Sequence, residues 1–362
     1  MCTRKRLGRA SIVFAGLLAL ASGAHAQSSV TLYGLVDGGL LFLSKTQNAS
    51  GGNGGRFIGF TDSGQVPSQF GLTGTEELGG GLAAEFRLES GIDIGNGGYN
   101  DSNGNFFGRE AYLGLKGAFG EVKAGLQFSP FFNTLFALDP RGLSQFGSSL
   151  GIYVNNVAAT GIFNANALSY ESPLIEGFQG SVMFAPGGVA GNFPSGRQYS
   201  ASLSWQWNGF TVSGALYDGN PGGSVVTTTP TNLGFDGRMI GVSWKYDKLT
   251  AKASFTNYKI AGSGMNNNVY GGGLDYFVMP DVDLNGGVWY VNNRNDSTDH
   301  SVLGALGASY FLSHRTTLYA QVGVVDNHGA ENLGLSVGDV PTSLLAPPGK
   351  TVGAEIGMRH AF

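Results

Sequence analysis

The chain has 362 residues, of which only 13% are charged, with 61 Gly, 24 Phe and 14 Tyr. A soluble globular domain carries about 25% charged residues, and a disordered one lacks this aromatic content, so both classes fit poorly. Its 21 basic and 25 acidic residues include no basic cluster after residue 9, which argues against nucleic acid as a partner.

The first element is a targeting segment. Arg4, Lys5, Arg6 and Arg9 precede an apolar stretch from Ile12 to Ala21, and Ala24-His25-Ala26 supplies a small-x-small cleavage pattern. The expected division is therefore a signal peptide over 1–26 and a mature domain over 27–362. Cys2, the single Cys, is lost with the signal and sits too early to be a lipid anchor, so disulfides and thiol chemistry are not expected. Four basic residues leave with the segment, and the remaining 17 basic and 25 acidic residues give a formal charge of −8. No later apolar run is long enough for a membrane-crossing helix.

From Val30 onward the hydrophobic period is two. Leu82, Ala84, Phe86 and Leu88 alternate with Ala83, Glu85, Arg87 and Glu89; Val122, Ala124, Leu126 and Phe128 oppose Glu121, Lys123, Gly125 and Gln127. Val352, Ala354, Ile356 and Met358 repeat the pattern near the end. Strands are expected at 30–42, 66–75, 81–90, 107–117, 120–128, 165–170, 178–184, 197–207, 210–217, 238–246, 249–259, 268–277, 282–291, 302–311, 316–325 and 351–362. Connections alternate between long and short, with Ala118-Phe119, Asn208-Gly209 and Asp247-Lys248 as tight turns. Sixteen strands with short turns at one rim and long loops at the other describe an all-β transmembrane antiparallel barrel in an outer membrane. A soluble sandwich would show the same alternation, but it has no reason to sort its connections by length.

Ser129–Asn164 is the longest connection. Ser129-Pro130 suits a helix start, and Phe132, Leu135 and Phe136 follow at helical spacing. With Phe131, Leu138, Leu143, Phe146 and Leu150 the loop carries too much apolar area to extend into water. It is expected to pack on the inner wall, or else over a neighbouring subunit.

Several segments resemble the trimeric general porins of β-proteobacteria. They are the stretch from Ser28 to Asp37, the run from Gly71 through Glu76-Glu77 to Leu82, Arg109-Glu110-Ala111-Tyr112-Leu113-Gly114-Leu115, Phe119-Gly120-Glu121-Val122, Tyr170-Glu171-Ser172-Pro173 with Gly177-Phe178, and the terminal Gly357-Met358-Arg359-His360-Ala361-Phe362. The resemblance implies a sixteen-stranded homotrimer in the cell outer membrane. It also implies an inward-folded third loop and a terminal Phe362 read by the outer-membrane assembly machinery. Implied partners are outer-membrane lipid and lipopolysaccharide, ions and small hydrophilic solutes, with no cofactor. The family commonly carries basic residues opposite the third loop. Here one such position is Gln69, and the 163–166 stretch holds no Arg. Arg109 shares parity with Ala111, Leu113 and Leu115, so it points outward or sits at a bulge, and Glu110 takes the lumen face.

Pore-lining candidates are Gln69, Glu85, Arg87, Glu89, Arg109, Glu110, Lys116, Glu121 and Lys123 on the wall, with Asp139 and Arg141 on the loop. The near-cancelling charges lead to an expected channel that is weakly cation-selective to non-selective. Each of these residues could equally be an ordinary solvated interior charge. Enzyme signals are weak. G-x-S-x-G occurs at Gly334–Gly338 and Gly147–Gly151, but both lie in loops. His300, His314, His328 and His360 lack ligand spacing, and Gly51-Gly52-Asn53-Gly54-Gly55 lacks the Lys of a phosphate loop. The leading reading is a water-filled channel for passive diffusion, and no enzyme. The alternatives are a secreted or surface β-rich binding protein without a pore, and a substrate-specific channel on the same barrel.

Overall fold

The computed structural model describes residues 29–223, 233–338 and 343–362, so the expected signal segment and its cleavage point lie outside the described residues. Seventeen strands run in chain order: β1 Ser29–Gln47, β2 Asn53–Asp62, β3 Gln69–Gly79, β4 Leu82–Gly91, β5 Glu110–Gly117, β6 Gly120–Phe128, β7 Phe163–Glu171, β8 Phe178–Ala185 and β9 Gln198–Trp207. Then follow β10 Phe210–Gly219, β11 Asp236–Tyr246, β12 Leu249–Lys259, β13 Asn266–Met279, β14 Val282–Asn293, β15 His300–Phe311, β16 Thr316–His328 and β17 Gly349–Ala361. Every pairing is antiparallel, and β17 pairs with β1 to close the sheet.

The barrel has sixteen wall positions, because β2 and β3 are two halves of one. The upper part of β1 pairs with β2, from Gly38↔Asp62 to Gln47↔Asn53, and the lower part pairs with β3, from Ser29↔Thr75 to Leu35↔Gln69. The expected second strand, 66–75, is present as β3, and the correction falls on the long loop expected before it. Residues 53–62 are strand rather than loop, and the chain leaves the wall only at 63–68. Gly51 to Gly55 and the unbroken run Phe57-Ile58-Gly59-Phe60 concealed the alternation, in which Arg56, Ile58 and Phe60 are exposed and Phe57 packs against the core inside.

The tight turns behave as expected. Asn208 and Gly209 both take positive φ, 48° and 78°, which is the type I′ geometry that matches strand twist. The outer face is apolar and open: Leu113, Leu203, Ile240, Val288, Leu306 and Ile356 are all more than half exposed. An exterior of this kind is stable only against hydrocarbon, and closure leaves no unpaired strand edge there. A shallow apolar concavity of about 760 Å³, bordered by Gly272, Leu274, Leu306 and Val322, lies on this outer face and is separate from the lumen.

The seam is finished by the last residue. Gly34 N–H donates to the Phe362 carbonyl at 3.2 Å, and Phe362 N–H donates back to the Gly34 carbonyl at 3.0 Å. The Phe362 ring covers Gly34 so closely that a side chain there would meet it.

Candidate pore lumen and constriction

The lumen is shaped by the 129–162 loop. Its first helix, α1 (Pro130–Leu138), is capped by Ser129, whose hydroxyl accepts from Phe132 N–H at 3.1 Å, with Pro130 in the first turn. A second helix, α2 (Ser149–Val157), is capped by Ser148. The apolar side chains find their cover on inward-facing wall residues. Phe131 is fully buried and lies about 6.3 Å, ring to ring, from both Phe235 and Tyr258; Tyr153 packs edge-on to Tyr258 at 5.7 Å. Trp289 donates its indole N–H to Ser149 Oγ at 2.8 Å. The serine of the second G-x-S-x-G match is thus a buried acceptor for the wall.

Inward glycines make the docking possible. A methyl group at Gly241 would lie 2.7 Å from Leu138, and methyls at Gly323 and Gly353 would each lie 3.1 Å from Phe146. Part of the chain's high Gly content is therefore the footprint of this loop. The loop packs on the inner wall of its own barrel, as the first of the two sequence-based readings had it.

The two loop charges are internal struts. Asp139 accepts backbone N–H groups from Arg141, Leu143 and Ser149 at 2.8–3.0 Å. Arg141 donates to Asn285 Oδ1 at 2.9 Å, to the Phe146 and Gly147 carbonyls at 2.7 and 2.8 Å, and to Gln321 Oε1 at 2.5 Å. Burial pushes its guanidinium down to about 10, which still leaves it charged at neutral pH.

A second inward element was not foreseen. Residues 63–68 turn off the wall between β2 and β3, and their freed backbone donors are taken up by Asp37: Gln65 N–H at 3.0 Å and Val66 N–H at 2.8 Å, both to Oδ2. Tyr319 Oη donates to the other oxygen of Asp37 at 2.7 Å. Beyond this anchor, Gln65 Nε2 donates to Ser309 Oγ at 3.1 Å, Gln321 Nε2 donates to the Gly64 carbonyl at 3.1 Å, and Gln145 N–H donates to the Gln65 carbonyl at 3.1 Å. The turn thus reaches the inner faces of β15 and β16 and touches the long loop. The only sequence signal was Gly64 and Pro67 interrupting an alternating run.

On the wall, three ion pairs gather the expected charges. Arg87 meets Glu110 at 2.8 Å, Arg109 meets Glu89 at 2.8 Å, and Lys123 meets Glu121 at 3.2 Å. Glu89 also accepts from Tyr33 Oη at 2.7 Å. Glu85 stands against Gly114 on the same inner face, and Lys116 lies opposite Glu121 in the register. The outward option for Arg109 is corrected: it is buried, precedes β5, and lies over the rings of Phe128 and Phe163. Phe128 was also assigned to the wrong face. A register shift between Gly125 and Gln127, with Gly125 at φ 136°, turns Phe128 in toward Phe132.

The inner loop, the 63–68 turn and the β13–β16 wall enclose a cavity of about 550 Å³ bordered by Gln65, Val66, Gln69, Asn133, Asp283 and Arg359 among others. A polar recess of about 230 Å³ holds Arg87, Glu110, Glu121 and Lys123. No group of three or more metal-binding side chains occurs among the described residues.

Comparison with known proteins places this architecture. The chain is 30% identical to outer membrane porin protein 32 of Delftia acidovorans over 368 residues, covering 97% of this chain and 99% of that one. It is 31% identical to the major outer membrane protein P.IB of Neisseria gonorrhoeae over 190 residues, 51% of this chain and 50% of that one. Among solved structures, it superposes on an anion-selective porin from Comamonas acidovorans with a TM-score of 0.78 at 27% identity, covering 93% of this chain and all of that one. The Gram-negative porin family matches over residues 10–330. A closed, lipid-facing barrel with a loop-lined lumen and this breadth of likeness makes the chain a member of the Gram-negative porin family.

Proposed function

We propose that residues 1–26 direct export and are removed, and that the remaining chain assembles as a homotrimer in the outer membrane, contacting lipid and lipopolysaccharide. There it passes ions and small hydrophilic solutes by passive diffusion, without catalysis or cofactor. The observation that carries the reading is a loop-lined cavity bordered by amide, carboxylate and guanidinium side chains inside a barrel whose outside is apolar. A pore-free binding protein has no use for that inversion. Purified trimer added to a planar bilayer is expected to give stepwise ohmic conductance; a protein that inserts and gives no steps would refute the channel.

The narrow zone has two jaws in this proposal, the 129–162 loop and the 63–68 turn. Val66 borders the cavity and is half-buried, and the cleaved signal takes the only Cys. Val66→Cys, modified with a bulky methanethiosulfonate after assembly, is expected to lower single-channel conductance by about twofold, since a filled cross-section carries fewer ions. Complete modification without a conductance change would remove the turn from the narrow zone.

Selectivity is proposed to be weakly cationic to neutral, because the wall charges cancel in pairs. Arg87→Gln leaves Glu110 without its partner, and the reversal potential in a KCl gradient should then move toward stronger cation preference. A wild-type channel with clear anion preference in that gradient would contradict the reading.

A further inference from the structure

The inner helix α1 is apolar on more than the side it buries. Phe131, Leu135 and Leu138 are covered where the helix lies against β8 to β12. Phe132 and Phe136 stand one turn apart on a second side, and both border the 550 Å³ cavity. Phe136 is 57% exposed there. Phe128, turned inward by the register shift, extends the line, with its ring 5.6 Å from that of Phe132. Phe128 and Phe132 also border a neighbouring cavity of about 280 Å³, and Phe128 reaches the recess that holds Arg87 and Lys123. Three phenylalanines therefore run as one strip past three spaces of the lumen that share lining residues.

The closed wall surrounds this strip, so neither lipid nor the outside of a second barrel can cover it. An apolar surface in a watery path, rimmed by a few polar groups, is the usual form of a place where a small ligand rests. The rim carries one accessible charge of each sign. Asp275 and Arg359 are both half-buried and border the same cavity as Phe136. Asp275 is hydrogen-bonded to Asp283. Of the three guanidinium groups at the cavity, Arg109 pairs with Glu89 and Arg141 is spent on Asn285, Gln321 and two carbonyls. Arg359 is the one without an ion-pair partner among the described residues.

We propose that this cavity is a transit site for small zwitterions that carry an aromatic ring, with the aromatic α-amino acids as the simplest case. The inference rests on the diffusion-channel reading and gives that channel a preferred solute class. The solute ring rests on Phe132 and Phe136, its ammonium donates toward Asp275, and its carboxylate accepts from Arg359. Rings in edge or offset contact gain more than the burial of their area alone, so an aliphatic side chain on the same zwitterion is held less well. A solute of zero net charge also suits a lumen whose wall charges cancel in pairs.

Reconstituted trimers in a planar bilayer test this with L-phenylalanine and L-leucine, zwitterions of equal charge, added in turn. Phenylalanine is expected to reduce single-channel conductance with a half-maximal effect at about fivefold lower concentration than leucine. Phe136→Leu, a change at a ring that lies mostly in water, should reduce that preference to about twofold or less. Phe119→Leu, in the tight turn between β5 and β6, should leave the preference intact. Phenylacetate and 2-phenylethylamine each keep the ring with only one of the two charges, and both should need higher concentrations than phenylalanine. Equal effects of phenylalanine and leucine, a preference untouched by Phe136→Leu, or a stronger effect of either singly charged compound would overturn the proposal. A protein that gives no conductance in any salt would instead strike the channel reading, so the two failures are distinguishable.

Discussion

Deleting Phe362 is expected to abolish most assembly into the outer membrane while export continues. Two of the hydrogen bonds that join the ends of the barrel belong to this residue, one in each direction with Gly34. Losing it leaves the Gly34 N–H and C=O unpaired at the seam, where each buried group without a partner costs about 1–3 kcal/mol. It also uncovers the glycine beneath the ring. The ring itself is about half exposed, so its own burial contributes roughly 1 kcal/mol, less than the seam bonds. Gly34→Leu should show the same defect with Phe362 intact, because the side chain would occupy the place of the ring. Membrane fractions probed for heat-modifiable trimer would measure both variants. Wild-type levels of folded trimer after the deletion would show that closure does not depend on the terminal residue. The proposed reading of Phe362 by the assembly machinery predicts a kinetic defect in cells. The seam argument predicts one in detergent refolding as well, so refolding the purified variant separates the two causes.

Removing residues 138–159 is expected to raise single-channel conductance severalfold and to relax size exclusion. The segment carries Phe146, Ile152, Tyr153 and Val157, all essentially buried against the inner wall. It also carries the Asp139 and Arg141 network that holds the loop to β14 and β16. Its loss opens the lumen on the side of β11 to β16 and uncovers Trp289 and Tyr258, which meet Ser149 and Tyr153 of the deleted segment. Each of those large side chains gives up about 1.5–3 kcal/mol of burial, so the variant should also lose thermal stability. A milder version, Arg141→Met, cuts the tie to Asn285 and Gln321 while keeping the chain length. It should increase open-channel noise more than mean conductance. Unchanged conductance after the deletion would mean that the narrowest point lies elsewhere, with the 63–68 turn as the remaining candidate.

The strands were legible because a lipid-facing barrel writes its architecture at period two, and fifteen of the sixteen expected strands agree with the ladder to within a few residues. The helix start at Ser129-Pro130 was legible for a similarly local reason, since capping is decided by neighbours in sequence. Side-chain facing was less secure. Strict alternation put Phe128 outside, and one bulge at Gly125–Gln127 moved it in. The same reasoning left Arg109 undecided, because it stands before the ladder of β5 begins, where strand parity no longer governs direction.

By itself the sequence determined the fold class, the number of wall positions and the presence of an apolar loop too large to leave in water. Those properties follow from local periodicity and composition, which every strand repeats. Only the tertiary structure decided what fills the lumen. The 63–68 turn is held by Asp37, Tyr319 and Gln321, residues 25 or more positions away in the chain, and its carbonyl groups meet donors from β16 and the inner loop. The inward glycines show the same division: their abundance is visible in the sequence, but their purpose appears only where Leu138 and Phe146 come to rest on them. Contacts across a closed barrel join residues that share no local pattern, so their partners emerge only when the wall brings them face to face.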